Sequence, residues 1–176
     1  MSINSFRFVC IFAFLIMTFA GLQLIGKKSS RVGKAQLCIL LLFSYYCIFK
    51  ADWRFCICIA CVTLIAYCVS IKLDLTKNKI WLCGGVLSLV CILGYFKYTN
   101  FFVNSLRNIA GLDSVTLNII LPLGISFYIF TAIAYLIDIY RGEYPAQKNI
   151  LNIALYIAFF PKLTAGPIVR GKDFFP

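Results

Sequence analysis

Five apolar runs set the pattern of this chain: residues 8–25, 35–49, 55–71, 80–96 and 117–139. Each is close to the roughly 17–25 residues that a helix needs to cross hydrocarbon. The second run is short and needs flanking residues to span. Aromatic side chains gather near the run ends, where an interfacial belt forms: Tyr45, Tyr46, Trp53, Trp81, Tyr95, Phe96 and Tyr98. The pattern predicts an all-α, polytopic integral membrane protein, with residues 1–176 forming one membrane unit. Arg7 ahead of the first run resembles the start of a signal peptide. The run has eighteen residues, however, and a signal peptide's apolar core has about 7–15. It reads as a retained first helix, with cleavage as the alternative.

Three stretches depart from plain spans. Residues 98–116 alternate Phe101, Phe102, Val103, Leu106 and Ile109 with Asn100, Asn104, Ser105, Arg107 and Asn108. An apolar face beside a polar one predicts a helix lying in the membrane interface, ended by Gly111; a polar loop is the alternative. In the fifth run, Pro122 and Gly124 can bend or begin a helix. Beyond them Tyr128, Thr131, Tyr135 and Asp138 follow at i, i+3, i+7 and i+10, on one helix face. Such a stripe has to face protein or a watery cavity, because lipid offers no partners. Arg141 stands three residues beyond Asp138, within pairing reach, so the pair is either an interfacial anchor or part of a site. The third stretch, 150–170, is a broken segment. It begins apolar but is too short to cross, and then meets Pro161, Gly166 and Pro167 between Lys162 and Arg170. Irregular backbone at membrane depth survives only inside protein or along a water-filled cavity. Two cations at such a break suit an anionic group; at the water interface they would instead meet lipid headgroups.

Composition agrees with the pattern. The chain is 62% hydrophobic and only 13% charged, against about 25% charged in soluble domains. Its mean hydropathy is +0.91. The net charge of +11 does not mark a nucleic-acid partner, because the basic residues lie in short groups between the apolar runs. Lys27, Lys28, Arg31 and Lys34 form one group, and Lys72, Lys77 and Lys79 another. Lys50 and Arg54 flank the loop between those two. Cytoplasmic loops carry the excess of Lys and Arg, which places the N-terminus outside; the later loops carry two basic residues each and decide nothing. The nine cysteines sit in or beside apolar runs, and there is no histidine. Cys56, Cys58 and Cys61 form a C-x-C-x-x-C, but structural zinc takes four converging ligands. These cysteines read as small buried hydrophobes, with no metal site. No internal repeat is present.

Several motifs together resemble the membrane-bound O-acyltransferase family, in its bacterial branch similar to alginate O-acetyltransferase. One is Ser44-Tyr45-Tyr46 followed by Asp52-Trp53-Arg54-Phe55. Another is Gly94-Tyr95-Phe96-Lys97-Tyr98-Thr99-Asn100-Phe101-Phe102. The most specific begins Leu121-Pro122-Leu123-Gly124-Ile125-Ser126-Phe127-Tyr128 and continues through Tyr135-Leu136-Ile137-Asp138-Ile139-Tyr140-Arg141-Gly142. It closes with Phe159-Phe160-Pro161 and Ala165-Gly166-Pro167-Ile168-Val169-Arg170. The resemblance covers most of the chain from about residue 40.

The resemblance implies a many-helix membrane enzyme of the bacterial inner membrane. It would move an acyl group, usually acetyl, from a cytoplasmic thioester co-substrate to a hydroxyl on a cell-surface polysaccharide, with no bound cofactor. A histidine in the second half of full-length members would take the acceptor proton. This chain has no histidine, and no residue in view replaces it. It reads as the N-terminal part of such an enzyme, inactive alone and completed by a C-terminal half or partner subunits. Tyr128, Tyr135, Asp138, Pro161, Lys162, Gly166, Pro167 and Arg170 are the candidates for lining the substrate path. Lys162 stands where the family pattern has glutamine, so no role carries over to it. Two other classes remain open: a non-catalytic membrane scaffold, and a small transporter, which broken helices favour but which has only Asp52 and Asp138 as acids near spans and no inverted repeat. The nucleotide sequence beyond the codon for Pro176 tests the first reading. An open frame, continuous or resumed after one frameshift, is expected to enter further apolar spans carrying a histidine. A true stop with no such half nearby removes the enzyme reading.

Overall fold

A computed structural model of the chain describes residues 30–113, 117–122, 124–159 and 171–174. The first apolar run, 8–25, lies outside the described residues. Among those residues the architecture is all helical: α1 (Ser30–Ala51), α2 (Trp53–Thr76), α3 (Lys79–Ile109), α4 (Ile125–Arg141), α5 (Ile150–Ala158) and a single turn, α6 (Gly171–Phe174). α2 and α3 are long and apolar enough to cross a membrane. α4 has 17 residues and rises roughly 25 Å, the lower limit for crossing.

Short polar residues start and stop the helices. The Asp52 side chain accepts from the Arg54 amide at 2.8 Å, opening α2 one residue after α1 closes. Asn78 does the same for α3, accepting from Ile80 at 2.9 Å, and Asn149 for α5, accepting from Leu151 at 3.0 Å. Each occupies one of the amides that a helix start leaves unpaired. Glycine opens and closes α4. Gly124 and Gly142 have φ of 69° and 77°, the left-handed region open to a residue without Cβ. Lys77 takes the same conformation at the end of α2, with φ 48°.

Two expectations from sequence change here. The apolar run 117–139 is not one helix: residues 117–122 are irregular, and α4 begins only after Pro122 and Gly124. The amphipathic stretch at 98–116 is not a separate interfacial helix. It continues α3 without a break to Ile109, because no proline or strained glycine interrupts residues 96–109. It ends where expected, at Gly111 with φ 68°.

The core lies where α4 packs against α2, α3 and α5. Ile59, Val62, Ala66 and Leu73 of α2 meet Ile129, Ala132, Leu136 and Ile139 of α4 in one buried cluster. α5 fills the other side of α2, and its residues 153–158 are all buried. α3 forms the outer edge and buries little beyond Gly85, Leu89 and Leu93. A Cβ on Gly85 would stand 2.7 Å from Val69 Cγ1 and 3.1 Å from Leu136 Cδ1. Glycine therefore sets how closely α3 approaches α2 and α4. Gly85→Leu is expected to lower the thermal unfolding midpoint in detergent, through overpacking of about 1–3 kcal/mol. Gly84→Ala, where a Cβ meets nothing within 4 Å, should leave it unchanged. Equal midpoints for both variants would refute the close approach.

Candidate functional site

The polar stripe faces protein. Tyr128, Thr131, Tyr135 and Asp138 are 1%, 4%, 0% and 7% exposed. The Tyr128 hydroxyl donates to Cys58 Sγ at 3.2 Å. Thr131 donates back to the Phe127 carbonyl at 2.8 Å. Tyr135 accepts from the Gln147 amide at 3.0 Å. The stripe runs about 15 Å along α4, from an apolar end at Tyr128 to a polar end at Asp138. Pairing of Asp138 with Arg141 does not occur among the described residues: Asp138 turns into the bundle, whereas Arg141 is exposed. The three neighbouring cysteines also part company around α2. Cys58 is buried against Tyr128, Cys56 lies near the Tyr45 carbonyl at 3.8 Å, and Cys61 is exposed.

At the polar end, α2 and its C-cap Lys77 grip the end of α4 and the link from α4 to α5. Asp74 Oδ2 accepts from the Ala146 amide at 3.2 Å, while Asp74 Oδ1 pairs with Lys77 Nζ at 3.0 Å. Lys77 Nζ also donates to the Ile139 carbonyl at 3.1 Å. The Tyr67 hydroxyl donates to the Lys148 carbonyl at 3.2 Å. Reading the sequence missed Asp74, Lys77 and Tyr67. The i,i+3 spacing of Asp74 and Lys77 signals their own pairing, but nothing local signals a partner 72 residues away.

Above this grip lies an aromatic cluster. Tyr135 packs on Tyr144 and Tyr156 with ring centroids 6.1 and 5.9 Å apart. Phe174 lies 5.1 Å from Tyr156. Burial pushes the Tyr144 phenol well above its usual range, and Tyr156, Asp138, Tyr135 and Glu143 push it the same way. It keeps its proton throughout the physiological range. Its hydroxyl is buried without a hydrogen-bond partner among the described residues. The structure thus brings Tyr135, Asp138 and the unanticipated Tyr144 to one end of the bundle, with Tyr128 at the other. Pro161, Lys162, Gly166, Pro167 and Arg170 lie outside the described residues, and so does the break in 150–170. α5, which leads to that break, has nine residues and rises roughly 13 Å, less than half of a hydrocarbon core of about 30 Å.

Two helices long and apolar enough to cross a membrane, with a polar stripe buried among apolar side chains, are the arrangement of a helical membrane protein. The chain is 39% identical to a probable alginate O-acetylase of Pseudomonas aeruginosa across 93% of its own length and 32% of the relative's. It is 42% identical to the corresponding protein of Azotobacter vinelandii, over 77% of this chain and 29% of that one. A peptidoglycan O-acetyltransferase of Helicobacter pylori is 31% identical over 94% of this chain and 37% of its own. This chain is a relative of these O-acetylases, which are of the membrane-bound O-acyltransferase type. It spans about a third of the length of the curated relatives it matches. No family model matches the chain, and no solved structure does.

Asp74→Ala removes the acceptor for Ala146 and the partner of Lys77. Amide hydrogen exchange across 142–149 is expected to quicken by about tenfold or more, as loss of a hydrogen bond to a charged group implies. Exchange in the middle of α4 should stay as it was. An unchanged rate at Ala146 would show that the grip does not hold the link.

Proposed function

We propose that this chain is the N-terminal part of a bacterial inner-membrane O-acyltransferase. The complete enzyme transfers acetyl from a cytoplasmic thioester to hydroxyls of a cell-surface polysaccharide. The observation that carries the reading is 39–42% identity to alginate O-acetylases over most of the chain. The inward polar face of α4 agrees with it, since such a face suits a protein that brings polar substrates into a bilayer. In this reading Tyr128, Tyr135 and Asp138 line the substrate path, joined by Pro161, Lys162, Gly166, Pro167 and Arg170. Lys162 and Arg170 attract an anionic portion of the donor or acceptor. The thioester is a co-substrate rather than a resident cofactor.

Topology supports a cytoplasmic position for the gripped end. Lys72, Lys77 and Lys79 stand there, and the contacts of Asp74, Lys77 and Tyr67 bring Arg141 and Lys148 to the same end. The opposite end carries Lys50, Arg54, Lys97 and Arg107. The basic excess belongs inside, which leaves the N-terminus outside and the polymer side at the far end of α3.

The chain contains no histidine, so the base for acyl transfer has to come from a C-terminal half or a partner subunit. The same fact favours the second reading, a non-catalytic membrane scaffold. Expressed alone, the chain is expected to transfer no acetyl to polysaccharide. In a complete version carrying the histidine-bearing half, Lys162→Ala with Arg170→Ala should lower turnover at least tenfold. Full turnover in that double variant would sink the path assignment. Stable co-purification with a partner, and no activity when the second half is supplied, would establish the scaffold instead.

A further inference from the structure

α3 is longer than the bilayer core that its neighbours fit. Its 31 residues rise roughly 46 Å, against about 30 Å of hydrocarbon. One apolar stripe follows almost its whole length. Ile80, Leu87, Tyr95, Tyr98, Phe102 and Ile109 are all exposed, and at 100° per residue they fall within an arc of about 80°. Phe101 and Leu106 flank it, 66% and 67% exposed. None of the three charged residues of the helix, Lys79, Lys97 and Arg107, lies in that arc.

The aromatic residues divide this stripe into two parts. Trp81 marks one end, and Tyr95, Phe96, Tyr98, Phe101 and Phe102 crowd the other. The separation from Trp81 to Tyr98 and Phe102 is roughly 26–32 Å along the axis, the width of a hydrocarbon core between aromatic belts. Beyond this second belt the stripe goes on. Leu106 stands about 6 Å further out and Ile109 about 10 Å, and Ile109 is 85% exposed.

The chain's return path makes this end a defined tip. The Asn100 amide binds the Leu117 backbone at both its groups: Nδ2 donates to the carbonyl and Oδ1 accepts from the N–H, each at 3.0 Å. The chain therefore comes back to α3 at the level of the aromatic belt. Arg107 Nε donates to the Asp113 carbonyl at 2.6 Å and ties down the turn after Gly111. Leu112 on that turn is 53% exposed. One face of the tip is thus apolar and its backbone is tied down.

We propose that this tip, formed by Phe101, Phe102, Leu106, Ile109 and Leu112, is embedded in the headgroup layer of the bilayer that α3 crosses. Continuity favours that occupant, because the tip extends the lipid-facing stripe on the same side with no charged residue in the arc and only the small, half-buried Ser105 between Phe102 and Ile109. Length favours it as well. Leu106 and Ile109 stand about 6 and 10 Å beyond Phe102 at the belt, and one headgroup layer is about 5–8 Å deep. Lys97, exposed and lying over the Tyr98 ring at 5.5 Å, is placed for lipid phosphate at the belt.

The test places one tryptophan at the tip. In a Trp53→Phe, Trp81→Phe background reconstituted in phosphatidylcholine vesicles, Leu106→Trp is compared with Leu87→Trp on the same stripe. Leu106→Trp should be quenched severalfold more by lipid carrying a nitroxide on its headgroup than by lipid brominated deep in its chains. Leu87→Trp should show the reverse order, which also establishes that the protein has folded across the bilayer. Red-shifted Leu106→Trp emission without lipid quenching would place the tip in water and overturn the proposal. Blue-shifted emission without lipid quenching would place it against protein, a second copy or the rest of a longer chain, and overturn it equally. Phe102→Trp, at the belt, should give intermediate depth, so the result does not hang on one variant.

Discussion

A phenol or a carboxyl surrounded by hydrocarbon finds no water to bond, and α4 carries four polar side chains on a single face. The arrangement of the bundle follows from hiding that face. α2 supplies Cys58 to the Tyr128 hydroxyl, and the link beyond α4 folds back to give Tyr135 a backbone amide. α3 and α5 close in from the flanks. With no apolar alternative able to satisfy these groups, the face fixes which helices are neighbours and how far each is turned. The close approach at Gly85 then brings α3 in against the back of the same helix.

The helices were largely legible in the sequence, because hydropathy is a property of the chain itself. Their ends were less so. The run at 117–139 is apolar throughout, and hydropathy alone cannot show that its first residues are held in an irregular path by Asn100 on another helix. Likewise the polar residues after Phe96 suggested a new element, whereas the backbone needed only the absence of a breaker to carry α3 on to Ile109. The inward stripe of Tyr128, Thr131, Tyr135 and Asp138 was legible from spacing and the cost of polar groups in lipid. Its far partners were not. Asp138 and Arg141 are close in sequence but turn to different surroundings, and Asp74 reaches Ala146 across a separation that no local rule spans.

The kinship with alginate and peptidoglycan O-acetylases fits a buried polar stripe, and its extent matters as much as its strength. About a third of each relative is represented here. The described helices leave much apolar surface uncovered, as on Leu42, Phe49 and Phe130. Lipid or further helices can cover such surface. One end of the bundle is gripped by Asp74, Lys77 and Tyr67 and the other is closed by the return of the chain to Asn100 on α3, so its two ends differ in how they are held.

α5 enters from the gripped end and stops inside, between α1, α2 and α4, with residues 155–158 buried. The last four carbonyls of any helix lack partners within it and gather the negative end of its dipole. In a helix this short they make up nearly half of the backbone acceptors. The end of α5 therefore contributes the negative end of its dipole to the interior of the bundle, set by the backbone and independent of pH. It favours ammonium, guanidinium, amide or hydroxyl donors near that point, and an anion can rest there only with cations beside it. Whatever group comes to rest at the end of α5 is chosen first by the sign of its charge, before shape or side-chain chemistry has any say.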